Sequence, residues 1–405
     1  MIGLPDRDAQ ARTEEGTGTR GDEPGFVPPV YPYDKLDALA EVARRHEGGV
    51  VDLSVGTPCD PPPAMVLQAL AASGTERGYP SSIGTGQYRE AALEWISRRF
   101  GVAGELTVAA CIGTKEFVSG LPHWLRLRTP ARDTVLCPVL AYPTYEMGAI
   151  LARCRAVAVP TLPDGRMDLS SISPDDAARA LCLWVNSPSN PAGQLEDLGA
   201  VARWGRANNV PVFSDECYVE FTWAGPARTI LEHGCEGVVA VHSLSKRSNL
   251  AGLRAGFYAG DAELVAYLAK LRQHAGFMVP GPVQHAGAVA LADDSHVERQ
   301  RGIYLERLTL FSKVLSEAGM AAAVPEGSFY LWVPVPESLS APGTLQDANP
   351  GWALTRWLAE HGGVLVAPGD TYGTAGRGHV RVALVQPDER LELVAHRLSG
   401  ATIGN

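Results

Sequence analysis

Lysine is scarce in this sequence of 405 residues, which has thirty arginines but only five lysines. Any chemistry that needs a side-chain amine is therefore limited to five positions: Lys35, Lys115, Lys246, Lys270 and Lys313. Apolar runs are also short, and none approaches the roughly 20 residues that a membrane-spanning helix needs. Their shortness argues against an integral membrane protein.

Cysteine offers no framework for disulfide bonds or for a metal site. The seven cysteines are scattered, without a CxxC pair or a repeated spacing. An odd number of unpaired thiols in a large chain is typical of a reduced, cytoplasmic protein. The net charge of −10 argues against nucleic acid as a partner. We therefore expect a cytoplasmic protein that acts on small molecules and needs no metal.

The chain shows an α/β pattern behind a polar leader. Residues 1–28 are polar with little to bury, so we expect disorder there. From residue 107 to about 260, short apolar runs alternate with helical stretches, which indicates a mostly parallel sheet covered on both faces. The later strand-like runs SFYLWVPV, GGVLVAP and HVRVAL predict a smaller α/β domain. We predict an arm with part of this domain at 29–70, a large domain at 71–290 and a C-terminal small domain at 291–405.

The strongest chemical signal lies in the segment VHSLSKRSNLAGLRAGF. An apolar strand runs there into Ser243, Ser245 and Lys246, and Arg254 follows in the same segment. Burying an ammonium is costly, whereas desolvation makes a lysine nucleophilic and suits it to forming an imine. The two hydroxyls and the guanidinium match a phosphate dianion. The alternative is a surface loop with an incidental basic cluster.

A second apolar strand, in VPVFSDECY, ends in Asp215, and Tyr218 follows three residues later. A buried carboxylate needs a partner, and a pyridinium N–H is a suitable one because the ion pair keeps the ring protonated. Tyr218 is then placed to hydrogen-bond an oxygen on the same ring. As an alternative, Asp215 caps the N-terminus of a helix, which is a common role for aspartate.

Two further strands end in turns that carry hydrogen-bonding groups. In WVNSPSNPAGQ, Asn190 offers a neutral donor to the same ring oxygen, or it forms an ordinary Asx-turn. In CIGTKE, the backbone N–H groups of Thr114 and Lys115 form an anion site at a helix N-terminus, or merely a strand-to-helix connection. Lys115 competes with Lys246 for the imine, but its place on the first helical turn suits phosphate contact better.

All four motifs occupy the same kind of position in the predicted fold. Each follows a strand, and the carboxyl ends of strands in an open α/β sheet converge on one crevice. A lysine, a carboxylate, an amide and an anion site are therefore expected to meet there. This set of groups fits pyridoxal 5′-phosphate.

Together the motifs resemble the class I/II aminotransferases, which are pyridoxal-phosphate enzymes of fold type I. AYPTY, NSPSNPAG, SDECY, SLSKRSNLAGLRAGF and HVRVAL occur in the family's order, and the likeness runs from about residue 29 to the C-terminus. DLSVGTP, IGTKE and LVAPGDTYG are closest in wording to the actinobacterial N-succinyldiaminopimelate aminotransferases. The resemblance implies a large domain with a mostly parallel sheet, and a smaller α/β domain built from N- and C-terminal segments.

The resemblance also implies roles around the cofactor. Lys246 would hold it as a Schiff base and move the proton during catalysis. Asp215 would pair with the pyridine nitrogen, and Tyr142 would stack on the ring. Asn190 and Tyr218 would contact the 3′ oxygen. The phosphate would be held by Thr114, Lys115, Ser243, Ser245 and Arg254.

On the substrate side, the resemblance implies that Arg381 in HVRVAL binds the α-carboxylate of the amino acid. Gly56 would line the same site through its backbone. Tyr79, in GYPSS, resembles the residue that these enzymes send to the phosphate of the neighbouring subunit, so a homodimer with shared active sites is implied. Glutamate is the expected amino donor, and this rests on the resemblance alone.

An aminotransferase is the main expectation, and there are two alternatives. An aminotransferase-like enzyme of a specialised biosynthetic pathway can catalyse β- or γ-elimination, replacement or carbon–carbon bond formation, and the fold does not decide between these. A transcription regulator with an aminotransferase-like module would need a DNA-binding domain before the cofactor domain. Only about thirty polar residues precede the matching region, which are too few for a folded winged helix.

Overall fold

The computed structural model describes residues 25–104, 106–340 and 349–403. The predicted disorder of residues 1–28 concerns positions that lie almost entirely outside these ranges. In chain order, the strands are Val51–Asp52 (β1), Thr107–Cys111 (β2), Thr134–Pro138 (β3), Arg155–Val159 (β4), Ala180–Asn186 (β5), Val212–Asp215 (β6), Val238–Ser243 (β7), Gly256–Gly260 (β8), Tyr330–Pro334 (β9), Val364–Leu365 (β10), Ala367–Pro368 (β11) and His379–Ala383 (β12). The α-helices are Asp37–Arg44 (α1), Ala64–Ala71 (α2), Gly86–Phe100 (α3), Thr114–Arg128 (α4), Thr144–Leu151 (α5), Pro174–Arg179 (α6), Leu198–Ala207 (α7), Leu244–Arg247 (α8), Ala262–His274 (α9), Gly281–Ala292 (α10), Ser295–Glu317 (α11), Glu337–Ser340 (α12), Pro350–Gly362 (α13) and Asp388–Leu398 (α14).

A seven-stranded sheet forms the centre of the large domain, in the order β2-β8-β7-β6-β5-β3-β4. Strand β8 runs antiparallel to both of its neighbours, and the remaining pairs are parallel. Every residue of β5, β6, β7 and β8 is buried. Strands that are buried throughout are covered on both faces of their sheet. The predicted mostly parallel α/β sheet is therefore confirmed.

Alternate residues of these strands enter two separate cores, because successive side chains in a strand point to opposite faces. Along β2, Val108 and Ala110 belong to one core, with side chains from α2, α3, α7 and α10. Ala109 and Cys111 belong to the other core, with side chains from α4, α5 and α9. The sheet is thus the middle layer of a three-layer α/β/α arrangement.

The smaller domain is built from both ends of the described chain. Strand β1 pairs in parallel with β10, and a second sheet has the antiparallel order β11-β12-β9. Val51 and Leu53 share one core with side chains of α11, α13 and α14. The predicted smaller α/β domain of N- and C-terminal segments is confirmed. The exact boundaries at 70, 290 and 28 stay predictions.

One predicted strand is divided in the structure. The run GGVLVAP reads as a single strand, but Val364–Leu365 pairs with β1 and Ala367–Pro368 pairs with β12. Val366 lies between them and is buried in a core that side chains of both sheets share. The chain therefore passes from one sheet to the other within a single apolar run, which hydrophobicity alone does not reveal.

The carboxyl ends of the parallel strands lie together at one edge of the large sheet. The register pairs Asn186 with Asp215, and it pairs both Cys111 and Ser243 with Gly256. Gly256 begins the antiparallel strand β8, so the residues just before it lie at the same edge. This edge is where ligands bind in open α/β sheets.

Candidate active site

A cavity of about 390 Å³ opens at this edge, within the size range of small-molecule sites. Its lining contains every predicted site residue except Tyr79: Gly56, Thr114, Lys115, Tyr142, Asn190, Asp215, Tyr218, Ser243, Ser245, Lys246, Arg254 and Arg381. Tyr79 lies outside the cavity, and its side chain is fully exposed. Folding therefore brings together residues that are spread over most of the chain.

Lys246 lies on the short helix α8, which follows the buried strand β7. Ser243 caps this helix by accepting a hydrogen bond from the backbone N–H of Ser245 at 3.1 Å. Nζ of Lys246 donates to the carbonyl oxygen of Gly56. Burial lowers the pKa of Lys246 to about 8, so a part of its amine is neutral near pH 7 and can act as a nucleophile.

Asp215 ends β6 and is 6% exposed. Its carboxylate accepts hydrogen bonds from the hydroxyl of Tyr145 at 2.9 Å and from the backbone N–H of Cys217 at 3.2 Å. Burial raises the pKa of Asp215, and the two hydrogen bonds counteract this only in part. The next helical turn begins only after Tyr218, so Asp215 does not cap a helix. A cationic ring N–H in the cavity would stabilise the ionised carboxylate.

The start of α4 and the side chain of Arg254 form a cradle for an anion. Helix α4 begins at Thr114, directly after Gly113, which has a φ of 69°. A Cβ at position 113 would lie 2.7 Å from Cζ of Arg254, so the guanidinium approaches the helix start as closely as glycine permits. Arg254 has the left-handed φ of 55°, a strained backbone of the kind found at functional sites. The N–H groups at a helix start and a guanidinium are groups that bind phosphate.

Lys115 and Lys246 have different surroundings. Nζ of Lys115 lies 3.0 Å from the hydroxyl of Tyr31 and 4.7 Å from the centre of its ring. The ammonium of Lys115 is thus held against the N-terminal arm. Lys246 lies on the short helix that follows a buried strand, and the surroundings of its amine suit an imine better.

Arg381, on β12, is 1% exposed. It donates to the side-chain oxygen of Asn190 at 2.7 Å and to the carbonyl oxygen of Ser54 at 2.6 Å. The rings of Tyr330 and Tyr372 flank the guanidinium, with centres 4.1 and 4.8 Å from Cζ. Among the described residues, Nε of Arg381 has no hydrogen-bond partner. A buried guanidinium that is held by neutral groups can bind a carboxylate from a ligand.

Several residues at the site were not singled out from the sequence: Tyr31, Tyr33, Tyr145, Asn186, Cys217 and Tyr330. Asn186 accepts the backbone N–H of Asn190 at 2.7 Å and donates to the carbonyl oxygen of Asp215 at 2.7 Å, so it fixes two strand ends. Its position at the end of the strand in WVNSP was an available signal. Tyr145 is the last residue of the motif AYPTY, but nothing in that motif shows that its hydroxyl contacts Asp215. Tyr330 reaches the cavity only through the packing of the two domains.

These features define a class of protein. A mostly parallel α/β sheet that presents a nucleophilic lysine, a buried acid and an anion cradle at its carboxyl edge belongs to a pyridoxal-phosphate enzyme of fold type I. Residues 48–398 match the family described as aminotransferase class I and II. The chain is a member of this aminotransferase family, and its cofactor is pyridoxal 5′-phosphate.

Individual relatives agree with this assignment. The chain is 42% identical to a probable aminotransferase of Mycobacterium tuberculosis, over 92% of this chain and 85% of the relative. It is 39% identical to the 4-dedimethylamino-4-oxo-anhydrotetracycline transaminase OxyQ of Streptomyces rimosus, over 92% of this chain and 99% of the relative. Among solved structures, a probable N-succinyldiaminopimelate aminotransferase of Thermus thermophilus matches with a TM-score of 0.78 and 32% identity, covering 91% of this chain and 99% of that one.

The comparisons confirm the family, the enzyme class and the cofactor that the sequence motifs predicted. In the part of the chain that the structure describes, no helix is long and apolar enough to span a membrane.

Proposed function

We propose that this cavity holds pyridoxal phosphate on Lys246 and transfers an amino group from glutamate to a 2-oxo acid. One observation carries the proposal: a single cavity contains an amine whose pKa is lowered to about 8, a buried carboxylate with neutral donors, and the cradle of α4 and Arg254. These three groups match the aldehyde, the ring nitrogen and the phosphate of the cofactor, respectively.

The remaining lining residues complete the binding of the cofactor. The side-chain oxygen of Asn190 already accepts from Arg381, so its NH2 group is the part that can donate to the 3′ oxygen. Tyr218 donates to the same oxygen, and Tyr142 covers a face of the ring. The phosphate is held by Thr114, Lys115, Ser243, Ser245 and Arg254.

The reaction follows from the groups that surround the substrate. When bound, pyridoxal phosphate would supply the electron sink for the α-carbon and the carrier for the amino group. Arg381 binds the α-carboxylate and thereby orients the amino acid, with Gly56 lining the site through its backbone. Nζ of Lys246 removes the proton from the α-carbon and returns a proton in the reverse half-reaction. Asp215 keeps a negative charge opposite the ring nitrogen throughout.

The acceptor that we favour is a 2-oxo acid of the N-succinyldiaminopimelate type. It is supported by the wording of the sequence motifs and by the relative from Thermus thermophilus. A second candidate is a ketone of a specialised biosynthetic pathway, because a relative of nearly the same length is a transaminase of 4-dedimethylamino-4-oxo-anhydrotetracycline. A screen with both kinds of acceptor, after glutamate has loaded the enzyme, distinguishes them by the aminated product.

The first test is an absorbance spectrum of the protein with pyridoxal phosphate, recorded before and after glutamate is added. We expect the visible band of a lysine-linked cofactor, and its conversion to the pyridoxamine form by glutamate. At saturating cofactor, Lys246→Ala should lack the band, while Lys115→Ala, which loses only a phosphate contact, should keep it. A band that survives in Lys246→Ala would overturn the assignment of this lysine. A band that glutamate leaves unchanged would overturn the donor and favour elimination, replacement or another donor.

We also propose a cytoplasmic homodimer with shared active sites. All seven cysteines are free, which agrees with a reducing compartment. Tyr79 is fully exposed and lies outside its own chain's cavity, and Phe26, Val27 and Val30 of the arm are exposed apolar side chains. A second copy of the chain would cover such a surface and receive Tyr79 at its phosphate.

Mixed dimers test whether the sites are shared. Two inactive variants, Lys246→Ala and Tyr79→Ala, are unfolded together and refolded. If each site takes its lysine from one chain and its tyrosine from the other, one of the two sites in a mixed dimer contains both native residues. We expect activity to recover to about a quarter of the wild-type value, since half of randomly paired dimers are mixed. A mixture that stays inactive would contradict shared sites.

A further inference from the structure

Two tyrosine hydroxyls meet on the cofactor side of the cavity. The hydroxyl oxygens of Tyr218 and Tyr330 lie 2.9 Å apart, and both side chains are buried. Tyr218 follows β6, whereas Tyr330 begins β9 in the smaller domain. The hydrogen bond therefore joins the two domains. One of its partners, Tyr218, is the residue that the proposed function places at the 3′ oxygen.

Tyr330 is held in this position from several sides. Its ring packs on the guanidinium of Arg381, with 4.1 Å between the ring centre and Cζ. A Cβ at position 56 would lie 2.8 Å from Cζ of Tyr330, so its phenol approaches the backbone of Gly56 as closely as glycine allows. Phe329 packs on Tyr218, the hydrogen-bond partner of Tyr330, with ring centres 5.5 Å apart. The hydroxyl of Tyr330 is therefore fixed in place rather than free to turn toward water.

The direction of this hydrogen bond follows from counting protons. A tyrosine hydroxyl carries one proton and can accept further hydrogen bonds. If Tyr218 donates its proton to the cofactor, it can only accept from Tyr330. Burial raises the pKa of both phenols, and the guanidinium of Arg381 counteracts this for both. The count of protons thus makes the hydroxyl of Tyr330 the donor in this hydrogen bond.

We infer that Tyr330 is a positioning residue of the reaction: it donates to Tyr218 and thereby directs the Tyr218 proton to the 3′ oxygen of the cofactor. This inference rests on the proposed function, which places Tyr218 at that oxygen. Hydrogen bonds in a chain of hydroxyls strengthen one another, so a donor to Tyr218 makes Tyr218 a stronger donor in turn. The effect should appear in the cofactor itself, because a donor to the 3′ oxygen stabilises its deprotonated form.

The test is a pH titration of the visible absorbance of the bound cofactor in Tyr330→Phe. Removing the hydroxyl should raise the apparent pKa of this absorbance by roughly 0.1–0.6 unit. This range is the part of the free energy of one hydrogen bond to a charged group that cooperativity contributes, converted to pKa units. Tyr218→Phe should raise it by roughly 1–2 units. The KM for glutamate should stay unchanged in Tyr330→Phe, since the ring that packs on Arg381 remains.

The double variant decides whether Tyr330 acts through Tyr218. In the Tyr218→Phe background, Tyr330→Phe should cause no further shift of the apparent pKa. An equal shift in both backgrounds would overturn the inference, because Tyr330 would then act on the cofactor directly. An unchanged pKa in the single variant Tyr330→Phe would overturn it as well.

Tyr304→Phe is a matched control for the loss of a buried hydroxyl. Tyr304 belongs to the same core cluster as Tyr218 and Tyr330, and its hydroxyl has no hydrogen-bond partner among the described residues. Its removal should leave the apparent pKa unchanged; a shift as large as that of Tyr330→Phe would show a general packing effect and would overturn the inference. If the wild-type protein forms no lysine-dependent band at all, the proposed function fails first. If the band forms and only the Tyr330→Phe shift is missing, the inference alone fails.

Discussion

Replacing Gly113 with alanine tests whether Arg254 and the start of α4 form the phosphate site. The added Cβ would lie 2.7 Å from Cζ of Arg254, closer than real Cβ contacts come, and the guanidinium must therefore move. Gly113 also has φ and ψ of 69° and 158°, a backbone region that is almost restricted to glycine. The substitution thus disturbs the cradle while every charged group stays in the protein.

The size of the effect can be estimated from these two causes. The backbone strain should lower the free energy of unfolding by about 1–3 kcal/mol. The displaced guanidinium should weaken a charge-assisted hydrogen bond to the phosphate, which contributes about 1.5–3 kcal/mol. The dissociation constant of pyridoxal phosphate should therefore rise about 10- to 150-fold.

The assay is an absorbance titration of the apoprotein with pyridoxal phosphate and, in parallel, with pyridoxal, which lacks the phosphate. We expect Gly113→Ala to lose affinity for pyridoxal phosphate and to keep its affinity for pyridoxal. Gly101→Ala is the control: Gly101 has a φ of 68° and nothing within 4 Å of its Cβ position. This control should lose about 1–2 kcal/mol of stability and no cofactor affinity.

Two results would refute the reasoning about the cradle. The first is an equal loss of affinity for both ligands, because the substitution would then act on the ring site. The second is a further loss when Gly113→Ala is added to Arg254→Ala. If the alanine acts by displacing Arg254, it should have little left to displace once that side chain is gone.

Three further predictions concern pH and stability. Because the pKa of Lys246 is about 8, the rate of cofactor uptake by the apoprotein should rise about tenfold per pH unit below this value and level off above it, as stopped-flow absorbance would show. Burial raises the pKa of Asp215, so the protonated carboxyl is favoured in the folded apoprotein. Its contribution to the stability of the folded state is lost as pH rises through the raised pKa. Asp215→Asn apoprotein should therefore be more stable than wild type at about pH 8 and nearly equal to it at about pH 4, in denaturant titrations. Asp60 binds the nearly buried Arg307 with two hydrogen bonds of 2.6 and 2.8 Å, and the exposed Asp388 is a second partner of Arg307. Asp60→Ala should cost about 1.5–3 kcal/mol of unfolding free energy, because Arg307 keeps only the exposed partner. Asp388→Ala should cost less than about 1 kcal/mol.

The fold was predictable where a pattern repeats along the chain. The strands β5, β6 and β7 are short apolar runs that end in turn residues, and alternating helices identify a parallel sheet. The pairing of strands from distant segments was less accessible. The division of GGVLVAP into β10 and β11 depends on β1, more than 300 residues earlier, and no local property of that run indicates it.

The two strongest sequence signals, Lys246 and Asp215, share a physical property: each is out of place in a protein that only has to fold. A lysine after the buried strand β7 and an aspartate at the end of β6 both incur the cost of burying a charge. Tyr145 and Tyr330 contribute to the same site, but an aromatic residue in a buried helix or strand is what the core requires anyway. Their contacts became visible only when the structure placed one hydroxyl 2.9 Å from Asp215 and the other 2.9 Å from Tyr218. Sequence reasoning thus predicts the groups that we propose carry the chemistry, while the groups that we propose position them obey the ordinary rules of folding and have to be found by geometry.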